Sequence, residues 1–267
     1  MIDSEPPEGV LAAVYDAGAD VYDQYWAPFL YPHARALLAC LPARQDRTIL
    51  DVGAGTGTLA PTLRAAAGPD GRVILLDRSQ GMLCHAPANL PRAVADAARL
   101  PIANAAVDVV VFSFVLFLLP DAHAAIAEAA RVLRPRRWLL TATWGSQHPT
   151  GADDVIRDEL DRAGAPAFPT PPRSDQLTDS PARISALLEA AGFTQVRTEQ
   201  RPLEAQFDPD AALALRTRAG ALGWSYAHLD QHTRHAVRRR IATRLAALPP
   251  RAFLDRSQVL LTSARSP

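Results

Sequence analysis

The stretch ILDVGAGTGTLA, residues 49–60, decides the fold, together with the acid that closes VILLDRS, residues 73–79. A short apolar run, Ile49, Leu50 and Val52, carries one acid, Asp51, and then breaks into Gly53, Gly55 and Gly57, with Ala54 and Thr56 between them. Apolar periodicity then turns helical through Leu59 and Leu63. Strand, glycine turn, helix and a second strand ending in an acid form the first unit of a nucleotide-cofactor fold. Glycine supplies backbone angles closed to other residues and lets the main chain approach a ligand. Asp77, twenty residues beyond Gly57, is placed to accept hydrogen bonds from two ribose hydroxyls.

The glycine spacing narrows the ligand. A dinucleotide fingerprint reads G-x-G-x-x-G and seats a pyrophosphate on a helix N-terminus. This chain reads G-x-G-x-G with Asp51 two residues upstream, an acid that repels a diphosphate and suits a cationic amine. The pattern points to a nucleoside carrying an amino acid and disfavours a nicotinamide-dependent reductase.

Working outward, 267 residues suffice for a sizeable core and predict one domain, residues 1–267. Its expected parts are an N-terminal helical layer over 1–45, a core over 46–204 and 253–267, and a helical cap insertion over 205–252. Continuous apolar runs predict a parallel sheet covered on both faces. The longest, Val109 to Leu119, has 11 residues, too short to cross a bilayer. Within the insertion, Asp230 reads as a helix cap, and Val237, Ile241, Leu245 and Leu248 make an apolar stripe. The Pro-rich segment 167–175 reads as a loop. The N-terminal layer and the insertion are the parts free to form a lid over an acceptor.

Charge excludes several classes. Lys+Arg and Asp+Glu both number 28, so no long-range field draws nucleic acid or an anionic membrane. Every basic residue among the 28 is arginine, which excludes Schiff-base lysine chemistry and a Walker P-loop. Cys40 and Cys84 show no paired spacing, and MIDSEPPEGV lacks a signal-peptide form, so a cytoplasmic protein is expected. His228, His232 and His235 do not share the apolar stripe, and no metal is expected. The run Val237-Arg238-Arg239-Arg240 reads as a solvated face.

The chain resembles the class I S-adenosylmethionine-dependent methyltransferases, in the small-molecule group that includes ubiquinone and menaquinone biosynthesis enzymes. The likeness rests on the glycine turn and Asp77, then on SQGML (79–83), ADAARLPIANAAVDVVVFSFVLFLLPD (95–121), EAARVLRPRRWLLTATWG (128–145), LLEAAGFTQVRTE (187–199) and SQVLLTSAR (257–265), in order. The resemblance implies an α/β, Rossmann-like, doubly wound and mostly parallel seven-stranded sheet. It implies S-adenosyl-L-methionine as cofactor, held by Asp51, Gly53, Ala54, Gly55, Thr56, Gly57, Asp77, Arg78, Met82, Asp96, Ala97 and Ser113. Met82 packs against the adenine in this reading, Asp96 and Ala97 hold its edge, and Ser113 lies beside the methionine part. Two departures stand out. Arg136-Arg137 replaces a customary Gly-Gly pair, in a loop expected to face away from the cofactor. Phe117 and Leu118 stand where many relatives carry histidines, which favours an apolar pocket.

Ligands of open parallel sheets bind outside the carboxyl ends of the strands. Aromatic residues placed for an acceptor are Tyr22, Tyr25 and Trp26 in the N-terminal layer, with Phe117 and Trp144 at strand ends; Tyr15 is a further candidate. His148, after the fifth strand, is the candidate base. The expected activity is methyl transfer to oxygen or carbon of a small hydrophobic or aromatic molecule, by a monomer or homodimer without nucleic-acid or membrane partners. Two alternatives keep the cofactor: a non-methylating reaction such as a cyclisation, and a non-catalytic partner subunit.

Overall fold

A computed structural model describes residues 9–42, 47–170 and 172–267. The ends of the expected N-terminal layer, 1–8 and 43–45, lie outside the described residues. In chain order the elements are α1 (Val10–Tyr25), α2 (Ala27–Ala36), β1 (Thr48–Val52), α3 (Ala60–Ala67), β2 (Arg72–Asp77), α4 (Gln80–His85), β3 (Arg92–Val94), β4 (Val107–Ser113) and α5 (Ala122–Val132). There follow β5 (Leu133–Trp144), α6 (Gly151–Arg162), α7 (Asp175–Thr178), α8 (Pro181–Ala190), β6 (Thr194–Gln206), α9 (Pro209–Arg218), α10 (Gly220–Ala227), α11 (Gln231–Ala246) and β7 (Leu254–Arg265).

The chain divides into two compact units. A helical unit takes the described residues of Met1–Phe29, Gln147–Pro171 and Leu203–Ser257, and a sheet unit takes the rest. The sheet has seven strands in the order β3-β2-β1-β4-β5-β7-β6, parallel from β3 to β5, with β7 antiparallel to β5. The chain thus starts in the middle of the sheet, winds outward through β2 and β3, and returns to place β4 on the other side of β1. That reversal puts a switch point at the carboxyl ends of β1 and β4, where open α/β sheets bind ligands. Leu50, Val110, Phe112 and Leu139 pack with Ile126 and Ala129 of α5 and with Ile184 and Leu188 of α8, all fully buried.

The segment expected to be a loop at Arg136-Arg137 is instead part of β5. Val107 pairs with Leu133 and Val109 with Trp138, so residues 134–137 bulge opposite Asp108. Arg134 and Arg137 reach the buried Asp108 carboxylate at 2.9 and 3.2 Å, and Thr48 N–H donates to it at 3.0 Å. The bulge lies at the amino end of β4, opposite the switch point.

The helical unit joins α9, α10 and α11 to α1 and α6. Asp230 caps α11 by accepting from Thr233 N–H at 3.0 Å, as its position after Leu229 predicts. Val237, Ile241 and Leu245 are fully buried, whereas α11 stops at Ala246 and Leu248 follows it, half-buried. Arg240 departs from a purely solvated face: its Nε donates to the buried Glu159 carboxylate of α6 at 2.7 Å. The helices between β6 and β7 begin at Pro209, because β6 runs on to Gln206, just past the expected start of the insertion at 205.

Candidate functional site

The glycine turn closes β1 at the switch point. Gly53, Gly55 and Gly57 sit at φ +72°, +56° and +72°, the left-handed region that side-chain-bearing residues disfavour. Gly53 and Ala54 N–H donate to Leu76 carbonyl oxygen at 2.8 and 3.0 Å, and Gly55 N–H donates to Asp77 Oδ2 at 2.7 Å. Asp77 Oδ1 accepts from Ser79 N–H at 2.8 Å, so one carboxylate ties the turn to the end of β2. Ser79 then caps α4 through Met82 N–H at 3.0 Å. Met82 is buried, and its Cε lies 3.6 Å from where a Cβ on Gly55 would stand.

Asp51 lies behind this turn, 1% exposed, and its Oδ1 has no hydrogen-bond partner among the described residues. Burial foremost, and then the Asp77 charge, push its carboxyl up to about 7. Asp96, half exposed after β3, accepts from Ala98 N–H at 2.9 Å and faces Arg78 at 3.8 Å; Ala97 beside it is buried. That bond closes a short turn over 96–99, and no helix follows Asp96.

Beyond Ser113 the chain turns sharply. Phe114 adopts φ +59°, rare for an aromatic residue, while its N–H still donates to Ala142 carbonyl oxygen at 2.8 Å. This turn sends Val115 onto Gly53, where a Cβ would come within 2.5 Å of Val115 Cγ2. It also gathers Phe114 and Phe117 on Trp144, with ring centroids 5.1 and 6.5 Å away. All three rings are largely buried.

A protein family described as "Methyltransferase domain" matches residues 50–141, from β1 into β5. Over 187 residues the chain is 30% identical to a demethylmenaquinone methyltransferase of Mycolicibacterium vanbaalenii, covering 66% of this chain and 77% of that one. The chain belongs to the class I S-adenosylmethionine-dependent methyltransferases, small-molecule type. S-adenosylmethionine is accordingly its cofactor. A nocamycin O-methyltransferase of Saccharothrix syringae is 28% identical over 243 residues, covering 80% of each chain. Among solved structures, the (4+2)-cyclase SpnF shares the fold at TM-score 0.59 and 18% identity over 98% of both chains.

Of the residues expected at this methyltransferase's site, those from Asp51 to Trp144 all fall in the sheet unit, whereas Tyr22, Tyr25, Trp26 and His148 fall in the helical unit. Trp26 packs on Phe207 at 5.5 Å and on Phe29 at 6.5 Å, and Tyr22 meets Tyr15 edge-on at 6.2 Å. These contacts give Tyr15 and Tyr22 of α1, and Trp26 just after it, a packing role inside their own unit; Tyr25 is half-buried. His148 is exposed, and its charge is one of several acting on the buried Asp255 carboxyl, which burial raises. Among the described residues no group of three or more His, Cys, Asp or Glu could hold a metal; His228 instead stacks on Trp224 at 3.7 Å. Sequence reasoning missed Val115 and Phe114. Nothing in their residue types marks them, but their place directly after a buried strand at a switch point does.

Proposed function

We propose that this protein methylates oxygen or carbon of a small apolar or aromatic molecule, with residues of the sheet unit holding the cofactor. The observation that carries the acceptor class is the ring group Phe114, Phe117 and Trp144 at the carboxyl ends of β4 and β5, on a segment packed against the glycine turn. The residues present suit S-adenosylmethionine: an oxygen of buried Asp51 without a partner among the described residues matches a cationic amino group, and Gly53, Gly55 and Gly57 at positive φ turn the backbone sharply at the end of β1. When bound, the cofactor supplies a methyl carbon activated by its sulfonium.

In this reading Asp77 receives the ribose hydroxyls, with Arg78 beside it. Met82 covers one face of the adenine while Asp96 and the Ala97 N–H meet its edge, and Ser113 lies by the methionine part. Ala54 and Thr56 contribute backbone within the turn. Phe114, Phe117 and Trp144 exclude water and hold a flat acceptor in place, and positioning of that kind removes several kcal/mol from a bimolecular barrier.

Mass spectrometry of small molecules released from the purified protein, with calorimetric titration of S-adenosylmethionine and S-adenosylhomocysteine, tests the cofactor assignment. Micromolar binding of either supports it; binding of a nicotinamide dinucleotide in their place overturns it. Asp77→Ala is expected to weaken S-adenosylmethionine binding by roughly 1.5–3 kcal/mol, the scale of hydrogen bonds to a charged group. Unchanged affinity would remove Asp77 from the assignment.

A second reading is favoured by the likeness to the cyclase over 98% of both chains, and by Phe117 and Leu118 standing where many relatives have histidines. There the bound cofactor is never consumed while an acceptor is reshaped. Stoichiometric release of S-adenosylhomocysteine during turnover decides for methyl transfer.

A further inference from the structure

The aromatic group of the sheet unit carries one cation that the proposed reading leaves idle. Arg173 follows the Pro-rich loop, and its guanidinium carbon lies 5.6 Å from the centroid of the Phe117 ring. Its backbone is anchored by its neighbour. Ser174, 3% exposed, donates from Oγ to Leu119 carbonyl oxygen at 2.8 Å and accepts from Ala122 N–H at 3.0 Å. One buried hydroxyl therefore clamps residue 174 across the turn that carries Phe117, at the start of α5.

Arg173 is exposed, yet among the described residues it has no carboxylate partner. The neighbouring acids are engaged elsewhere: Asp175 Oδ1 accepts from Gln176 N–H at 3.1 Å, and Asp179 pairs with Arg183 at 2.7 Å. A guanidinium on an aromatic face is partly desolvated there and keeps the N–H fork at its edge for a planar, two-oxygen anion. Structural arginines elsewhere in the sheet unit are consumed: Arg131 by Glu128 and the carbonyls of Leu100 and Ile102, Arg64 by those of Gly68 and Pro69. Arg173 stands over the Phe117 ring without being so consumed.

We propose that Arg173 binds a carboxylate of the acceptor, so that the substrate class is a flat or apolar molecule bearing an acid group. The inference rests on the acceptor reading above and narrows it. Phe117 supplies the stacking surface, Ser174 is a positioning residue, and Arg173 determines specificity. The same fork donates to any planar anion of this shape, and a neutral analogue with an amide in its place leaves one guanidinium N–H facing another donor.

Paired ligands separate charge from ring contact. With S-adenosylhomocysteine saturating, calorimetry would measure the binding of 2-naphthoate and of 2-naphthamide to the wild type and to Arg173→Gln. The wild type is expected to bind the acid about tenfold or more tightly than the amide, the scale of a charge-assisted hydrogen bond. Arg173→Gln is expected to close that gap to about twofold while leaving the amide's affinity and S-adenosylhomocysteine binding unchanged. Equal binding of both probes to the wild type, a gap that survives the substitution, or no binding of either probe overturns the proposal. Unchanged S-adenosylhomocysteine binding in any of those cases leaves the cofactor assignment standing, whereas its loss in the wild type breaks both.

Discussion

Asp77 in the sheet unit and Glu159 in the helical unit are both carboxylates that hold their surroundings together, but they draw partners from different distances along the chain. Asp77 accepts from N–H groups of Ser79, two positions away, and Gly55, 22 positions away. Glu159, 2% exposed, is met by Arg240 and Arg244, 81 and 85 positions away, each at 2.7 Å. Asp153 likewise meets Arg216, 63 positions away, at 2.5 Å, and Asp20 meets Arg218, 198 positions away, at 2.5 Å. The turn is made by backbone geometry that neighbouring residues impose, whereas the helices are joined by side chains whose pairing depends on the finished packing.

Substitutions at the turn should therefore be the more damaging. Gly53→Ala forces a side chain into a left-handed backbone and drives it to within 2.5 Å of Val115. The two costs, about 1–2 kcal/mol for the backbone and about 1–3 kcal/mol for overpacking, predict a loss near 2–4 kcal/mol. Thermal melting without cofactor measures it. A companion Val115→Gly, which removes both the Cγ2 at 2.5 Å and the Cβ at 2.7 Å, should recover part of the loss, and failure of that rescue would show that Val115 is not what the glycine accommodates.

The same contrast explains what was legible beforehand. Asp51, the three glycines and Asp77 lie within thirty residues and follow local rules of period, spacing and backbone angle. Alternating strands and helices predict a covered parallel sheet, and the family resemblance supplies its doubly wound, seven-stranded form. The packing of Val115 on Gly53 was not legible, because it depends on the turn that Phe114 makes at φ +59°, which no residue preference favours. Arg240 reads as surface from its neighbours Arg238 and Arg239; only the docking of α11 on α6 gives it Glu159. The Arg134 and Arg137 clamp on Asp108 was hidden for the same reason, since it needs β4 and β5 already paired.

The next contrast is in acid. Burial acting alone would raise the Glu159 carboxyl, but the hydrogen bonds and charges of Arg240 and Arg244 outweigh it and hold it below its ordinary value. A depressed carboxyl stabilises the fold above its unfolded value of about 4.3, and that contribution is lost as pH falls through the folded value. Glu159→Gln should cost about 1–3 kcal/mol at pH 7, because the arginines it abandons still reach water. The deficit should shrink as pH drops below about 4. A deficit that stays constant with pH would assign it to packing instead of charge.

Asp51 has the opposite sign. Its carboxyl, pushed up to about 7, keeps a proton in the folded chain that the unfolded chain has already released. Stability of the cofactor-free protein therefore falls as pH rises from about 4 to about 7, and stays reduced above it. Asp51→Asn should flatten that dependence and stabilise the cofactor-free protein at pH 8 by on the order of 1–2 kcal/mol, while weakening S-adenosylmethionine binding. Melting curves at pH 5 and pH 8, with and without cofactor, separate the two effects. Equal melting of variant and wild type at pH 8 would mean that Asp51 is not held against its ionised form.

The smallest effect lies at the far edge of the sheet, where local geometry and residue type disagree. Arg136 occupies φ +57° within the bulge that wraps Asp108, and its side chain is exposed. The clamp on Asp108 comes from Arg134 and Arg137, and Arg136 contributes only its carbonyl oxygen, which accepts from Arg265 Nη1 at 2.9 Å. A glycine at 136 keeps that carbonyl and removes a left-handed penalty of about 1–2 kcal/mol, against an added unfolded-state entropy of about 0.5–1 kcal/mol. Arg136→Gly should thus raise stability by about 0.5–1 kcal/mol and the melting temperature by about 2 °C, with cofactor binding untouched. Destabilisation would mean that the arginine side chain is bearing on the bulge after all. The glycine customary in relatives would then mark a different backbone there, not a strain that this chain tolerates.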